Sequence, residues 1–157
     1  MSKADDLATK LKNTGATHAE QAIDSWPNQV YELYRQIERW LLPITEVGLV
    51  LRHNPTHVFE SDLEGETFDY AIDQLLIEGN GHTLTFDPVA RFTDDGEGRV
   101  EIHSKGQELA LLRTVGEHGE SHWWLQVIEQ AGQQLDAVAL TENNFLSVVQ
   151  EGLELWD

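Results

Sequence analysis

Apolar residues recur at intervals of three and four along one stretch of the N-terminal third, SWPNQVYELYRQIERWLLPI. This spacing places them on one side of an α-helix, where they would pack against a core. Ser25 is a favourable N-cap, and Pro27 falls in the first turn, where its missing N–H costs little. We therefore predict a helix that ends at Pro43. The apolar stripe consists of Val30, Leu33, Tyr34, Ile37, Trp40 and Leu41.

Two shorter helical signals precede this helix. Leu7 and Leu11 lie four residues apart before Gly15, which predicts a helix stop. Thr17 is a candidate N-cap for a second short helix that would run through Ile23. These signals extend the predicted helical region over residues 4–42.

After this region the apolar period changes towards two, which is typical of β-strands. Residues 47–51 predict a strand, and HNPT at 53–56 predicts a turn. In ETFDYAIDQLLIEG the apolar residues switch from even to odd positions around Asp73 and Gln74. Because neighbouring strand residues point to opposite faces, the switch predicts a bulge or a break there.

Turn signals then recur about every ten residues without a helical pattern between them, which predicts sequential hairpins. Asn80-Gly81 is the strongest of these signals, because both residues tolerate a positive φ. The later turns are DDGEG, SKGQ, GEHGES and QAGQQ. The strands between them are predicted near 99–103, 109–115, 122–129 and 135–140.

The last predicted element is a helix that begins after Thr141, a favourable N-cap. Its apolar stripe consists of Phe145, Leu146, Val149 and Leu153, with Trp156 beyond it. The chain of 157 residues is therefore predicted to be a single α+β domain in two layers. It combines N-terminal helices at 4–42, an antiparallel meander of about six to eight strands within 46–140, and a C-terminal helix at 142–154. The helices would cover one sheet face and leave the other exposed or used for assembly.

The composition excludes several kinds of site. Cysteine is absent, so neither a disulfide framework nor a thiolate metal site can form. The N-terminus has no apolar core of a secretory signal, and no run approaches the roughly 20 apolar residues that span a bilayer. We expect a soluble, cytoplasmic protein without a membrane segment.

The net charge of −18 is concentrated in two segments. Residues 53–90 and 114–157 each contain eight Asp or Glu and no Lys or Arg. Such a field repels phosphate and speeds encounter with basic surfaces, so nucleic acid is not expected as a direct ligand. Three interpretations of the charge stay open: solvation of the surface, a functional acidic face, and adaptation to high salt.

Residues 116–125, GEHGESHWWL, contain the most suggestive chemistry. His118 and His122 have the spacing of a metal-binding helix, but the surrounding glycines and the strand pattern that follows favour a hairpin tip with exposed histidines. His53 and His57 flank a predicted turn and support a metal no better. TDDGEGRVE lacks the spacing of a calcium loop, and no serine lies in a nucleophile motif. We predict no cofactor, no metal and no enzymatic activity.

The strand after this turn has one consistently apolar face, formed by Trp123, Leu125 and Val127, which we assign to the core. The opposite face mixes polar residues with Trp124 and Ile128. Trp124 is therefore either buried under a helix or an interface anchor.

The leading hypothesis is a binding protein that captures a basic protein, such as an immunity or antitoxin-like inhibitor of a nuclease toxin, or an inhibitor that imitates nucleic acid. The alternatives are an acidic secretion-chaperone-like dimer, a small-ligand carrier or enzyme, a regulatory subunit with a partner that is not basic, and a homodimer formed through the exposed sheet face. The continuous strand pattern over 82–140 counts against the chaperone plan, which puts a helix in the middle of the sheet order. The predicted partner-binding residues are Asp62, Glu64, Glu66, Asp69, Asp73, Glu117, Glu120 and Trp124.

Overall fold

The computed structural model describes residues 18–61, 65–91, 98–104, 107–128 and 136–155, with side chains from residue 25 onwards. These residues form one long helix, seven strands and a short C-terminal helix, so the α+β prediction is confirmed. The helices are α1 His18–Thr45 and α2 Glu142–Gly152. The strands are β1 Val50–Ser61, β2 Thr67–Gly79, β3 His82–Ala90, β4 Arg99–Ser104, β5 Gln107–Val115, β6 Ser121–Ile128 and β7 Val138–Ala139.

The seven strands lie side by side in chain order, and every neighbouring pair is antiparallel. This arrangement confirms the predicted meander. At the β2–β3 hairpin, Asn80 has φ 53° and Gly81 has φ 75°, as a turn with two left-handed residues requires. The capping box at Thr141, where the Thr141 hydroxyl accepts from the Asn144 N–H, confirms the predicted start of α2.

The start after the predicted N-cap Thr17 agrees with the structure, but the predicted division into two helices, with a new start at Ser25 and an end at Pro43, was wrong. The helix begins at His18 and runs without a break to Thr45, with Pro27 and Pro43 inside it. An internal proline removes one backbone hydrogen bond and costs about 3 kcal/mol. The continuous buried stripe from Trp26 to Leu41 offsets this cost through tertiary packing. The first short helix, around Leu7, falls outside the described residues.

The prediction of a turn at HNPT was also wrong. β1 is a continuous strand through His53–Thr56 and pairs residue by residue with β2. A proline is compatible with a strand at the edge of a sheet, where one side of the backbone has no partner strand. β1 is such an edge strand, because it is the first in the sheet order.

The switch from even to odd buried positions in β2 is real, but its predicted cause was wrong. Tyr70 and Ile72 are buried before the switch, and Leu75 and Ile77 after it. Pairing with β1 stays one-to-one across this point, so no residue is inserted. The bulge lies in β3 instead, between Pro88 and Ala90.

The switch coincides with the place where β2 separates from β3. β2 pairs with β3 only over residues 75–79. Before that point β2 pairs with β1 alone, although β3 continues to Ala90. We call this part of the hairpin, residues 54–61 and 67–74, the β1–β2 arm.

Both described helices pack on the same face of the sheet. Phe145 of α2 contacts Phe86 of β3 and Trp40 of α1, with ring centroids 6.0 and 5.5 Å apart. We predicted that the opposite face is either exposed or used for assembly, and part of it is buried. On β5 and β6, Ala110, Leu112 and Gln126 point to that face and are at most 9 % exposed. A homodimer through this face therefore stays a prediction.

Candidate partner-binding surface

Two tyrosines of α1 fix the base of the β1–β2 arm. The Tyr34 hydroxyl donates to the Asp73 carbonyl at 2.8 Å, and the Asp73 N–H donates to the Tyr31 hydroxyl at 3.3 Å. The Tyr34 hydroxyl also lies 3.5 Å from the Phe86 carbonyl of β3. One buried hydroxyl thus lies at the point where the two strands separate, and burial raises the pKa of Tyr34 well above its ordinary value.

A carboxylate fixes the arm nearer its tip. Glu60 accepts hydrogen bonds from the Arg91 N–H, at 2.9 and 3.1 Å, and from the Tyr70 hydroxyl. Burial, and then the hydrogen bond to Glu60, raise the pKa of Tyr70. Glu60 therefore connects the arm to the end of β3, and its charge is engaged within the fold.

The predicted acidic residues of the arm have different surroundings. Asp69 is exposed and lies 3.4 Å from the His57 ring. Asp73 is half-buried, and its carboxylate lies 3.6 Å from the His53 ring. Glu66 is exposed. Asp62 and Glu64 lie outside the described residues, so the predicted row is described only in part.

The most exposed aromatic side chain of the arm is Phe59, which the sequence reasoning missed. Its relative exposure is 76 %, and it lies directly opposite Asp69 in the β1–β2 register. The His57 ring is next to it, with centroids 5.1 Å apart. Phe59 was missed because the sequence analysis predicted a turn at HNPT and therefore no strand through it. An edge strand through Pro55 would have placed His57 and Phe59 on one face.

The turn between β5 and β6 forms a second acidic site and confirms the predicted hairpin tip. Gly119 has φ 79°, and the Gly116 N–H donates to the Glu120 carbonyl at 2.8 Å. The Glu120 carboxylate accepts from the His118 N–H at 2.9 Å and lies 3.4 Å from the His122 ring. Its own backbone N–H, with that of His118, lowers the pKa of Glu120. Glu117 is exposed beside it.

The side chains of His118 and His122 are not part of a cluster of potential metal ligands among the described residues. Within the described ranges, no three His, Asp or Glu side chains converge in a way that could hold a metal ion. The His122 ring is instead close to the carboxylate of its neighbour two residues earlier.

The two tryptophans of β6 differ as predicted in the face they occupy. Trp123 lies on the helix side, with its ring centroid 6.1 Å from that of Trp26. Trp124 lies on the other face, is half-buried, and donates its indole N–H to the Thr114 hydroxyl at 2.9 Å. Its ring is therefore held against β5, and its role as an interface anchor stays a prediction.

A cleft lies between α1 and the edge formed by β6 and β7. Its volume is about 920 Å³. Apolar side chains form part of its wall, and charged or polar groups from α1 and the β5–β6 turn form the rest. The apolar lining residues are Leu33, Trp40, Trp123, Trp124, Ala139 and Leu140.

The predicted binding residues do not form one cluster. The arm belongs to β1 and β2, whereas Glu117, Glu120 and Trp124 belong to the β5–β6 hairpin. In the sheet order β3, β4 and β5 lie between β2 and β6, so the two groups are on strands that are not neighbours. Each group must therefore be considered as a surface by itself.

Comparison of the chain with known protein families, curated proteins and solved structures finds no match. No helix in the described part of the chain has the length and apolar character needed to cross a bilayer.

Proposed function

We propose that the chain is an acidic protein-binding domain that captures a basic protein through the β1–β2 arm. One observation carries the proposal. The arm diverges from β3 and presents an exposed Phe59 beside Asp69, within a segment that contains no Lys or Arg from residue 53 to residue 90. An exposed aromatic ring surrounded by charge of one sign is typical of an interface anchor.

The mechanism combines a long-range and a short-range step. The net charge of −18 attracts a surface rich in Lys and Arg and raises the rate of encounter. Phe59 then provides apolar area that is desolvated on contact, and this step slows dissociation. The same field repels phosphate, so we propose no direct contact with nucleic acid.

Two biological forms of this activity fit the chain. One is an immunity or antitoxin-like inhibitor of a nuclease toxin, and the other is an inhibitor that imitates the charge of nucleic acid. In both forms the partner has a cleft lined with Lys and Arg, which the acidic arm would occupy. The cytoplasm is the compartment that we propose for either form.

The test is a pair of charge-reversal variants with equal net charge. Glu66→Lys with Asp69→Lys changes the arm, whereas Glu46→Lys with Glu151→Lys changes exposed carboxylates elsewhere. Association of each with a labelled short poly-L-lysine is followed by stopped flow at low and moderate salt. We expect the arm variant to associate about three- to tenfold more slowly than the control variant at low salt, because the lost charges lie at the contact. The difference should shrink as salt rises, since screening weakens the field.

Equal association rates for the two variants would show that only net charge matters, and the arm proposal would then be wrong. Thermal unfolding of both variants checks that the substitutions leave the fold intact. An affinity capture from the native host at low and moderate salt identifies the partner. A strongly basic nuclease that is released by salt supports the inhibitor form, and a copurified small molecule with no basic protein contradicts it.

The cleft between α1 and β6 favours the small-ligand alternative. Its volume of about 920 Å³ is within the range of ligand sites, and three tryptophans contribute to its wall. Mass spectrometry of the purified protein for a retained small molecule distinguishes this alternative from protein capture.

The described strands follow one another without an intervening helix, which is the feature that counts against the secretion-chaperone alternative.

A further inference from the structure

The outer edge of β1 has backbone groups that no strand of the sheet uses. β1 is the first strand in the order and pairs only with β2. The pair Pro55 and Asp73 shows which backbone N–H and C=O groups of β1 point outwards, away from β2. Proline has no N–H, and both backbone groups of Asp73 bond to the tyrosines of α1. Pro55 and Asp73 are therefore a non-hydrogen-bonded pair of the β1–β2 ladder.

Hydrogen-bonded and non-hydrogen-bonded pairs alternate along an antiparallel ladder. Because the register stays one-to-one beyond Pro55, the pairs of His57, Phe59 and Ser61 are also non-hydrogen-bonded. Their N–H and C=O groups consequently point away from β2. All three residues are exposed, and no hydrogen bond to these backbone groups is found among the described residues.

We infer that this edge accepts an extended segment of the basic partner as a further β-strand, with Lys or Arg side chains placed over Phe59 and towards Asp69. The inference rests on the proposed function and specifies how the arm binds. Strand addition to a free edge supplies main-chain hydrogen bonds, and alternate side chains supply specificity. Residues 57–61 offer three outward N–H groups for this purpose.

The side chains beside this edge select a cationic strand. Phe59 and Asp69 are directly opposite each other and point to the same face. A Lys or Arg placed next to Phe59 can lay its apolar stem on the ring and direct its charge towards the carboxylate. Residues 53–90 contain no Lys or Arg, and the described neighbour of that carboxylate is the His57 ring at 3.4 Å.

Pro55 limits where the added strand can pair. Its missing N–H removes one outward donor, so pairing cannot continue uninterrupted towards the start of β1. A proline on an edge strand also reduces pairing between two copies of a protein. The acidic charge of both arms opposes the same self-association, which leaves a segment of opposite charge as the preferred occupant.

The test uses short synthetic peptides in which Lys alternates with Thr. When the peptide pairs antiparallel with β1 and a Lys lies opposite Phe59, the Lys N–H points at β1, and the Thr N–H groups point to solvent. One peptide therefore carries N-methyl groups on the Lys residues, and its control carries the same number on the Thr residues. Both keep the charge and the composition of side chains. Binding to the full chain is measured by calorimetry at low salt.

We expect methylation of the Lys residues to weaken binding by roughly 10- to 100-fold, because about three main-chain hydrogen bonds are lost. Methylation of the Thr residues should leave the affinity nearly unchanged. Phe59→Ala should weaken binding of the unmethylated peptide, whereas Val138→Ala, an exposed apolar residue on β7, should not. Phe59 is so exposed that its truncation should leave the fold intact, which thermal unfolding checks.

The outcomes separate this inference from the proposed function. If both methylated peptides bind as well as the parent peptide and charge reversal of the arm still slows association, strand addition is overturned and capture stands. If charge reversal has no effect on any peptide, the proposed function fails as well. Concentration-dependent dimerisation that Phe59→Ala abolishes would assign the edge to a second copy of the chain and overturn the inference.

Discussion

The hydroxyl of Tyr34 provides a direct test of how the arm is fixed. Tyr34→Phe removes the group that donates to the Asp73 carbonyl at 2.8 Å and lies near the Phe86 carbonyl. The ring itself, 1 % exposed, stays in the core. The substitution therefore changes the hydrogen bonding with little change in packing.

The expected cost follows from the carbonyl that loses its donor. A buried polar group left without a partner costs about 1–3 kcal/mol, and the Asp73 carbonyl is only partly buried. We therefore expect a loss of about 1–2 kcal/mol in the free energy of unfolding. For a domain of this size the midpoint temperature should fall by about 2–8 °C.

Urea denaturation followed by circular dichroism measures this loss, with an unchanged m-value as the sign of an unchanged fold. Amide hydrogen exchange should become faster in the arm of the Tyr34→Phe variant than in the arm of the parent protein, whereas exchange in β4 and β5 should change less. Tyr31→Phe is the matched control, because its hydroxyl only accepts from the Asp73 N–H at 3.3 Å and is half-buried. The reasoning is refuted if Tyr34→Phe costs less than Tyr31→Phe, or if arm exchange is unaffected.

Two further predictions concern Gly98, which lies against Trp26 of α1, and Glu120 in the β5–β6 turn. Gly98→Ala should destabilise the fold by about 1–3 kcal/mol, because Gly98 has φ 149° and a Cβ there would lie 2.4 Å from the Trp26 ring. Chemical denaturation should show a smaller loss for Gly119→Ala, which has φ 79° but open space around it; an equal loss would contradict the close contact. Carboxyl NMR should place the pKa of Glu120 below its ordinary value, since backbone N–H groups bind the charged form. The stability that these hydrogen bonds contribute is present above the pKa of Glu120 in the unfolded chain and is lost as the pH falls through its pKa in the folded chain. A titration midpoint of Glu120 at or above the ordinary value would contradict the hydrogen bonds.

Much of the fold could be predicted from local patterns. The alternation of apolar and polar residues determines where strands lie, and Asn80-Gly81 determines a tight hairpin, because these signals depend on neighbours in sequence. The same holds for the N-cap at Thr141 and for the two faces of β6. The two segments without Lys or Arg are likewise a property of the sequence alone.

The sequence signals failed where long-range packing outweighed a local preference. Pro27 and Pro55 predicted a helix start and a turn, yet both lie inside continuous elements. Tertiary burial of the stripe stabilises α1 across Pro27, and a vacant outer side tolerates Pro55 in β1. Neither condition can be read from the residues next to the proline.

Only the tertiary structure determined which acidic groups remain available. Glu60 is engaged by Arg91 and Tyr70, whereas Asp69 remains exposed beside Phe59, although both lie in the same acidic segment. Charge along the chain is fixed by composition, because it is a sum over residues. Whether a carboxylate faces solvent, a hydroxyl or an unpaired strand edge depends on residues that are distant in sequence and meet only in the fold.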